Sequence, residues 1–65
     1  MKVEVGDKVK IKAQGILVTG KVVRVDHWEG YGWDIELTEA NVPGGYSHWK
    51  QGTDGGEIVE VIKGD

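Results

Sequence analysis

Glycine falls at short intervals along the whole of this chain, eleven times in 65 residues, and that spacing limits what the chain can fold into. Glycine weakens helix interiors and supplies the positive φ that tight turns require. The segments between the glycines are rich in β-branched residues: ten Val and five Ile stand against two Leu and two Ala. Such side chains are stiff in a helix and pack well on a pleated surface. No stretch carries a sustained apolar period of 3.6 residues. The expectation is an all-β chain of short strands, with room for one short helical turn. Residues 1–65 make a single small domain, and a core of this size rarely contributes more than about 3–5 kcal/mol.

Alternation places the strands. Val9, Ile11 and Ala13 alternate with Lys8, Lys10 and Lys12, which predicts a strand with an apolar inner face and a lysine outer face. Residues 14–18 read as a loop closed by Gly20. A second strand is expected over 21–28, with Val23 and Val25 inside and Arg24 and Asp26 outside. Gly30 and Gly32 mark a turn, after which Trp33, Ile35 and Leu37 alternate with Asp34 and Glu36. Folding these two strands about Gly30 sets Val25 against Ile35, Val23 against Leu37 and Arg24 against Glu36. A one-residue slip would turn the apolar positions outward, so the register is specified. It leaves Asp26 opposite Asp34, a like-charge pair that calls either for a cation between its members, Lys12 or Lys50, or for a twist of the sheet that draws them apart. A loop over 38–45, a short strand over 46–50, a turn over 52–56 and a last strand over 57–62, with Val59 and Val61 on one face, complete the reading.

Five short strands opened by Val5-Gly6-Asp7-Lys8-Val9-Lys10-Ile11 resemble the Src-homology-3-like small barrels, whose layout is shared by Tudor domains, ribosomal KOW-type domains and a small accessory protein of photosystem I. The resemblance implies a five-stranded antiparallel barrel and no particular activity. The segments Gly32-Trp33-Asp34-Ile35-Glu36-Leu37, Tyr46, Trp49-Lys50-Gln51 and Asp54-Gly55-Gly56 are similar to small proteins of bacteria and their phages, a likeness to which no function attaches. The tyrosines of the proline-peptide-binding branch are missing from the first strand and from residues 53–56, so recognition of PxxP segments is not expected. The hairpin His27-Trp28-Glu29-Gly30-Tyr31 is also less basic than its ribosomal counterpart.

Several kinds of chemistry are excluded or disfavoured. There is no cysteine, so disulfides, thiolate zinc sites and cysteine nucleophiles drop out. The longest apolar run is Ile16-Leu17-Val18, far short of a membrane span, and residues 1–7 lack the apolar stretch of a secretory signal; a cytoplasmic protein is expected. His27 and His48, with Asp26 or Asp34, are a thin basis for a metal site. Ser47 and His48 are neighbours on an extended strand and so point to opposite faces, which denies them a nucleophile–base contact. The Gly-Lys pair at 20–21 lacks the spacing of a phosphate loop. No enzyme, cofactor or metal is expected.

A binding role remains, that of a non-catalytic protein-interaction module or an accessory subunit. All five aromatic residues, Trp28, Tyr31, Trp33, Tyr46 and Trp49, lie between positions 28 and 49. Trp33 falls on the apolar face and reads as core. Trp28 and Tyr31 sit at a hairpin tip, where burial is hardest, and Tyr46 and Trp49 lie on opposite faces of their strand, one inside and one out. The expected protein-binding set is Trp28, Tyr31, Tyr46 and Trp49 with Glu29 and Lys50, since aromatic side chains give rigid contact area. Glu29 and Asp54 favour a basic partner. The alternative is a nucleic-acid face of Lys8, Lys10 and Lys12 with the same aromatics. Residues 1–25 hold six basic and two acidic side chains, and residues 26–65 hold two and nine. The net charge of −3 weighs against nucleic acid, and in a folded sheet the two halves can simply pair across the ladders.

Overall fold

A computed structural model describes residues 2–64. Its elements are β1 (Lys8–Ala13), β2 (Ile16–Trp28), β3 (Gly32–Thr38), a 3-10 turn (Pro43–Gly45), β4 (Ser47–Lys50), a single-turn helix α1 (Gln51–Asp54) and β5 (Glu57–Ile62). The strands form one antiparallel sheet in the order β4-β3-β2-β1-β5. The fold is therefore all-β, with the expected short helical turn. No ladder joins β4 to β5 among the described residues, so the sheet is open where a barrel would close.

The expected loop over 14–18 is instead a tight hairpin, and β2 begins at Ile16. Ala13 pairs with Ile16, leaving Gln14 (φ 52°) and Gly15 (φ 77°) as the whole turn. Two consecutive positive φ values are what a two-residue turn needs to match the twist of its strands. Gln-Gly does not carry the Asn-Gly or Asp-Gly signature of such turns, which is why the sequence reads as a longer loop.

Strand β2 serves two neighbours in turn. Residues 16–21 pair with β1, and residues 21–28 pair with β3. The free edge of its first half is covered by Asn41. The Asn41 Oδ1 accepts from the Thr19 amide at 2.9 Å, and its Nδ2 donates to the Leu17 carbonyl at 3.1 Å. Gly20 sits against the end of β3 and the residues that follow it: a Cβ there would lie 3.0 Å from the Leu37 Cβ and 3.1 Å from the Thr38 carbonyl oxygen.

The core is Val3, Val9, Ile11, Val22, Ile35, Leu37, Trp49 and Ile58. Two of its members replace residues that strict alternation puts inside. The register of β2 against β3 holds as read for Arg24–Glu36, Val25–Ile35 and Asp26–Asp34, but Leu37 faces Val22 rather than Val23. Val23 is the extra residue of a β-bulge; Val22 is fully buried while Val23 is 46% exposed. The same happens between β1 and β5, where Lys10 pairs with Glu60 and Ile11 with Ile58. Val59 is left over and exposed, so Ile58 and Val61, not Val59 and Val61, face inward. An extra residue in one strand inverts the parity of every position beyond it.

The segment before β1 is fastened by Asp7, a buried acid. Its carboxylate accepts from the Glu4 amide at 2.8 Å, from the Lys63 ammonium at 2.7 Å and from the Gly64 amide at 3.1 Å. The Asp7 carbonyl accepts from the Val22 amide at 2.8 Å, and the Val22 carbonyl accepts from the Gly6 amide at 2.9 Å. One residue thus ties the start of β1 to the end of β5 and to the middle of β2. The Lys63 hydrogen bond, followed by those from the Glu4 and Gly64 amides, draws the Asp7 pKa from 3.8 down to about 2.

Two outcomes are expected. Val22→Ala should cost about 2 kcal/mol and Val23→Ala no more than about 0.5 kcal/mol, measured by urea unfolding; the reverse order would mean that the bulge is misplaced. The Asp7 carboxylate is more acidic folded than unfolded, so its contribution is complete above the ordinary carboxylate range and fades as pH falls from about 4 toward 2. An acid titration followed by tryptophan fluorescence should show Asp7→Asn to be less stable than the parent at neutral pH, with the gap narrowing through that window.

Candidate functional site

The β2–β3 hairpin tip is built for exposure. Tyr31 N–H donates to the Trp28 carbonyl at 3.0 Å, closing a turn over Trp28-Glu29-Gly30-Tyr31 with Gly30 at φ 85°, the position where a type II turn requires glycine. Trp28 is 59% exposed and Tyr31 70%. Both line a cleft of about 320 Å³, together with Trp33, Asp34, Lys50 and Thr53.

The helix α1 holds this tip in place. Gln51 Oε1 accepts from the Trp33 amide at 3.2 Å, and its Nε2 donates to the Gly56 carbonyl at 3.1 Å. Two glycines make the approach possible. A Cβ on Gly32 would overlap Gln51 Oε1 at 2.2 Å, and one on Gly52 would lie 2.7 Å from the Tyr31 ring. The Lys50 amide donates to Asp54 Oδ2 at 3.0 Å, and Trp49 Nε1 donates to the Gly55 carbonyl at 2.8 Å, so the turn from β4 into α1 is closed on itself.

Of the residues expected to bind a partner, Trp28, Tyr31 and Lys50 come together on the walls of this cleft, and Glu29 is exposed in the turn beside it. Trp49 does not join them. It is only 5% exposed and fills the core next to Ile35, its ladder partner, which settles the choice between Tyr46 and Trp49. Tyr46 is exposed but stands just before β4, at the end away from the tip, where its hydroxyl donates to Glu36. Trp33 is half-buried rather than enclosed: one side packs against the core, and its ring meets His27 edge-on at 4.5 Å. Asp34 and Thr53 also line the cleft. Alternation already turns Asp34 outward, whereas nothing local in the sequence brings Thr53 to the hairpin.

Beyond the cleft, the outer face of β2, β3 and β4 is an acidic network centred on Arg24, with Lys50 at its edge opposite Asp34. Arg24 bonds Glu36 and Asp26, and reaches Asp34 at 3.1 Å. The cation that bonds both Asp26 and Asp34 is therefore Arg24, from the same strand as Asp26; Lys50 stands on the other side of Asp34 as its ladder partner and adds its charge there, while Lys12 lies on β1 opposite Glu57. His48 Nε2 lies 2.5 Å from Asp34 Oδ1. That hydrogen bond, and then the Arg24 charge, hold Asp34 below its ordinary range against partial burial. Glu36 is lowered first by the Tyr46 hydroxyl and then by Arg24, and Tyr46 is raised in return.

His27 shares a face with Trp33, while His48 shares the opposite face with Glu36. Among the described residues no three His, Cys, Asp or Glu side chains are grouped to hold a metal ion. No described helix is long and apolar enough to cross a membrane. The lysines of β1 do share one outer face, but Lys10 is bonded to Glu60 at 2.9 Å and Lys12 stands opposite Glu57.

No family model, curated protein or solved structure matches this chain.

Replacing Arg24 by Met should expose the repulsion it now suppresses. The variant should be less stable than the parent at pH 7, and the gap should close as pH falls below the ordinary carboxylate range, where Asp34 and Glu36, held low in the parent, take up protons. A deficit independent of pH would mean that Arg24 acts through its aliphatic stem alone.

Proposed function

We propose that this domain is a non-catalytic protein-binding module of the Src-homology-3-like type, with the cleft at the β2–β3 tip as its contact site. The strand order, the long β2 shared between two halves of the sheet and the single helical turn before β5 support that fold group. The exposed Trp28 and Tyr31 carry the functional reading. Large aromatic side chains are mostly withdrawn from water when a domain can do so, and these two are held out by a hydrogen-bonded turn and braced from below by α1. Rigid aromatics lose little entropy on docking and recur as interface anchors.

The surroundings select the partner. Glu29, Asp26, Asp34 and Glu36 outnumber Arg24 and Lys50 on the tip and the adjoining face, which favours a segment that places an apolar side chain in the cleft and basic residues along the strands.

The test is a titration of labelled protein with short basic peptides carrying one aromatic or aliphatic anchor. Amides of residues 28–33 and 50–53 should shift together. Trp28→Ala and Tyr31→Ala should each weaken binding by about thirty-fold, the loss of a hot-spot anchor, while melting near the parent temperature. Val59→Ala, on β5 at the opposite edge of the sheet, should leave affinity unchanged. Equal effects from all three would remove the cleft as the site.

A further inference from the structure

We infer that Lys8 and Lys21 form a second binding site, selective for a phosphate-class oxyanion. The ladders of this sheet give most strand lysines an acid for a neighbour. Lys10 has Glu60, Lys12 has Glu57 and Lys50 has Asp34. Lys8 and Lys21 break the pattern, because they stand directly opposite each other across β1 and β2. Their other ladder neighbours are Ile62 and Thr38, neither of which carries charge. Among the described residues, neither lysine is within ion-pair distance of a carboxylate. Like charges directly opposite destabilise a ladder, and an anion seated between them turns that repulsion into two attractions.

There is space for such an anion. Two adjoining clefts, of about 250 and 370 Å³, share Lys8, Lys21, Glu39 and Ile62 on their walls. The first adds Lys10 and Thr19 and the second adds Lys63. Lys10 and Lys63 already have acidic partners in Glu60, Glu4 and Asp7, so the free positive charge comes from Lys8 and Lys21. The wall at Thr19 is fixed, since Asn41 holds its amide and the Asn41 amide donates to its carbonyl at 3.1 Å. Glu39 is the one acid on both walls, and its carboxylate competes with an incoming anion. The site is independent of the aromatic cleft: Lys21 and Trp28 are about 20 Å apart along β2 at the rise of an extended strand.

The experiment is a titration of the labelled full chain at low ionic strength with inorganic phosphate and with pyrophosphate, against sodium chloride of matched ionic strength. Saturable shifts are expected at Lys8, Lys21 and Thr38, with Trp28 and Tyr31 unmoved. Lys8→Gln and Lys21→Gln should each weaken binding by about ten-fold, the loss of one charge-assisted contact, and Glu39→Gln should tighten it. Both lysine variants remove a like-charge clash, so thermal melts at or above the parent temperature separate lost binding from lost folding. An oligothymidine that shifts the same residues would identify a nucleic-acid backbone as the source of the phosphate; shifts from the small anions alone would identify a phosphorylated small molecule. Either outcome supports the site. Shifts that chloride reproduces, that survive in the lysine variants, or that fail to appear with any of the three probes would overturn it.

Discussion

Strand β2 has to satisfy two neighbours with one backbone. Its first half gives its hydrogen bonds to β1 and its second half to β3, and the two ladders overlap only at Lys21. A strand used this way must change direction without losing contact with the core. Gly20 eases it, since a Cβ there would press on Leu37 and Thr38 at 3.0–3.1 Å, tighter than ordinary contact. The bulge at Val23 then adds twist and restarts the inward alternation on the other parity. Val22, at the joint, is fully buried and is hydrogen-bonded on both sides of its peptide to Gly6 and Asp7. The site of the core and the cover that Asn41 provides for the edge left bare both follow from this joint.

The same ladders dispose of charge. Antiparallel pairing sets side chains from distant parts of the chain against one another, and here it joins a basic N-terminal stretch to an acidic remainder. Lys10 meets Glu60, Lys12 meets Glu57 and Arg24 meets Glu36. The imbalance between the two parts of the sequence is therefore largely spent within the sheet. Arg24 does more than its ladder position demands, because its planar fork reaches three carboxylates at once, which a lysine could not do. Asp26 and Asp34 can face each other only because that fork lies over them.

Much of this was legible in the residues themselves. The strands rich in valine and isoleucine, the turn at Gly30, the pairing of Arg24 with Glu36 and the inward face of β1 all follow from period-two alternation and glycine placement. The errors have one physical origin. Alternation assumes an unbroken strand, and both Val23 and Val59 sit in bulges, where a residue is added without a partner. Nothing distinguishes a bulged valine from its buried neighbour in a run such as Val22-Val23 or Ile58-Val59; only the partner strand decides. The Gln14-Gly15 turn is hidden for a similar reason, since Gln14 takes a positive φ that its side chain does not advertise. At the candidate site, the exposure of Trp28 and Tyr31 could be argued from their place at a hairpin tip. The burial of Trp49 could not, because it depends on which face of β4 meets Ile35.

The clamp at Asp7 also has a mechanical meaning. Lys8 pairs with Ile62, so the start of β1 and the end of β5 lie side by side at one corner of the sheet. A pulling force applied through the residues that flank them would load the β1–β5 ladder from that corner and open its rungs singly, as a zipper opens, rather than shearing all of them together. The contacts of Asp7 with Lys63 and Gly64 are the first fastening such a force would meet, ahead of the rungs of the ladder itself. A domain strung under tension through these two points would open from a fixed place, by peeling the edge strand β5 away from β1.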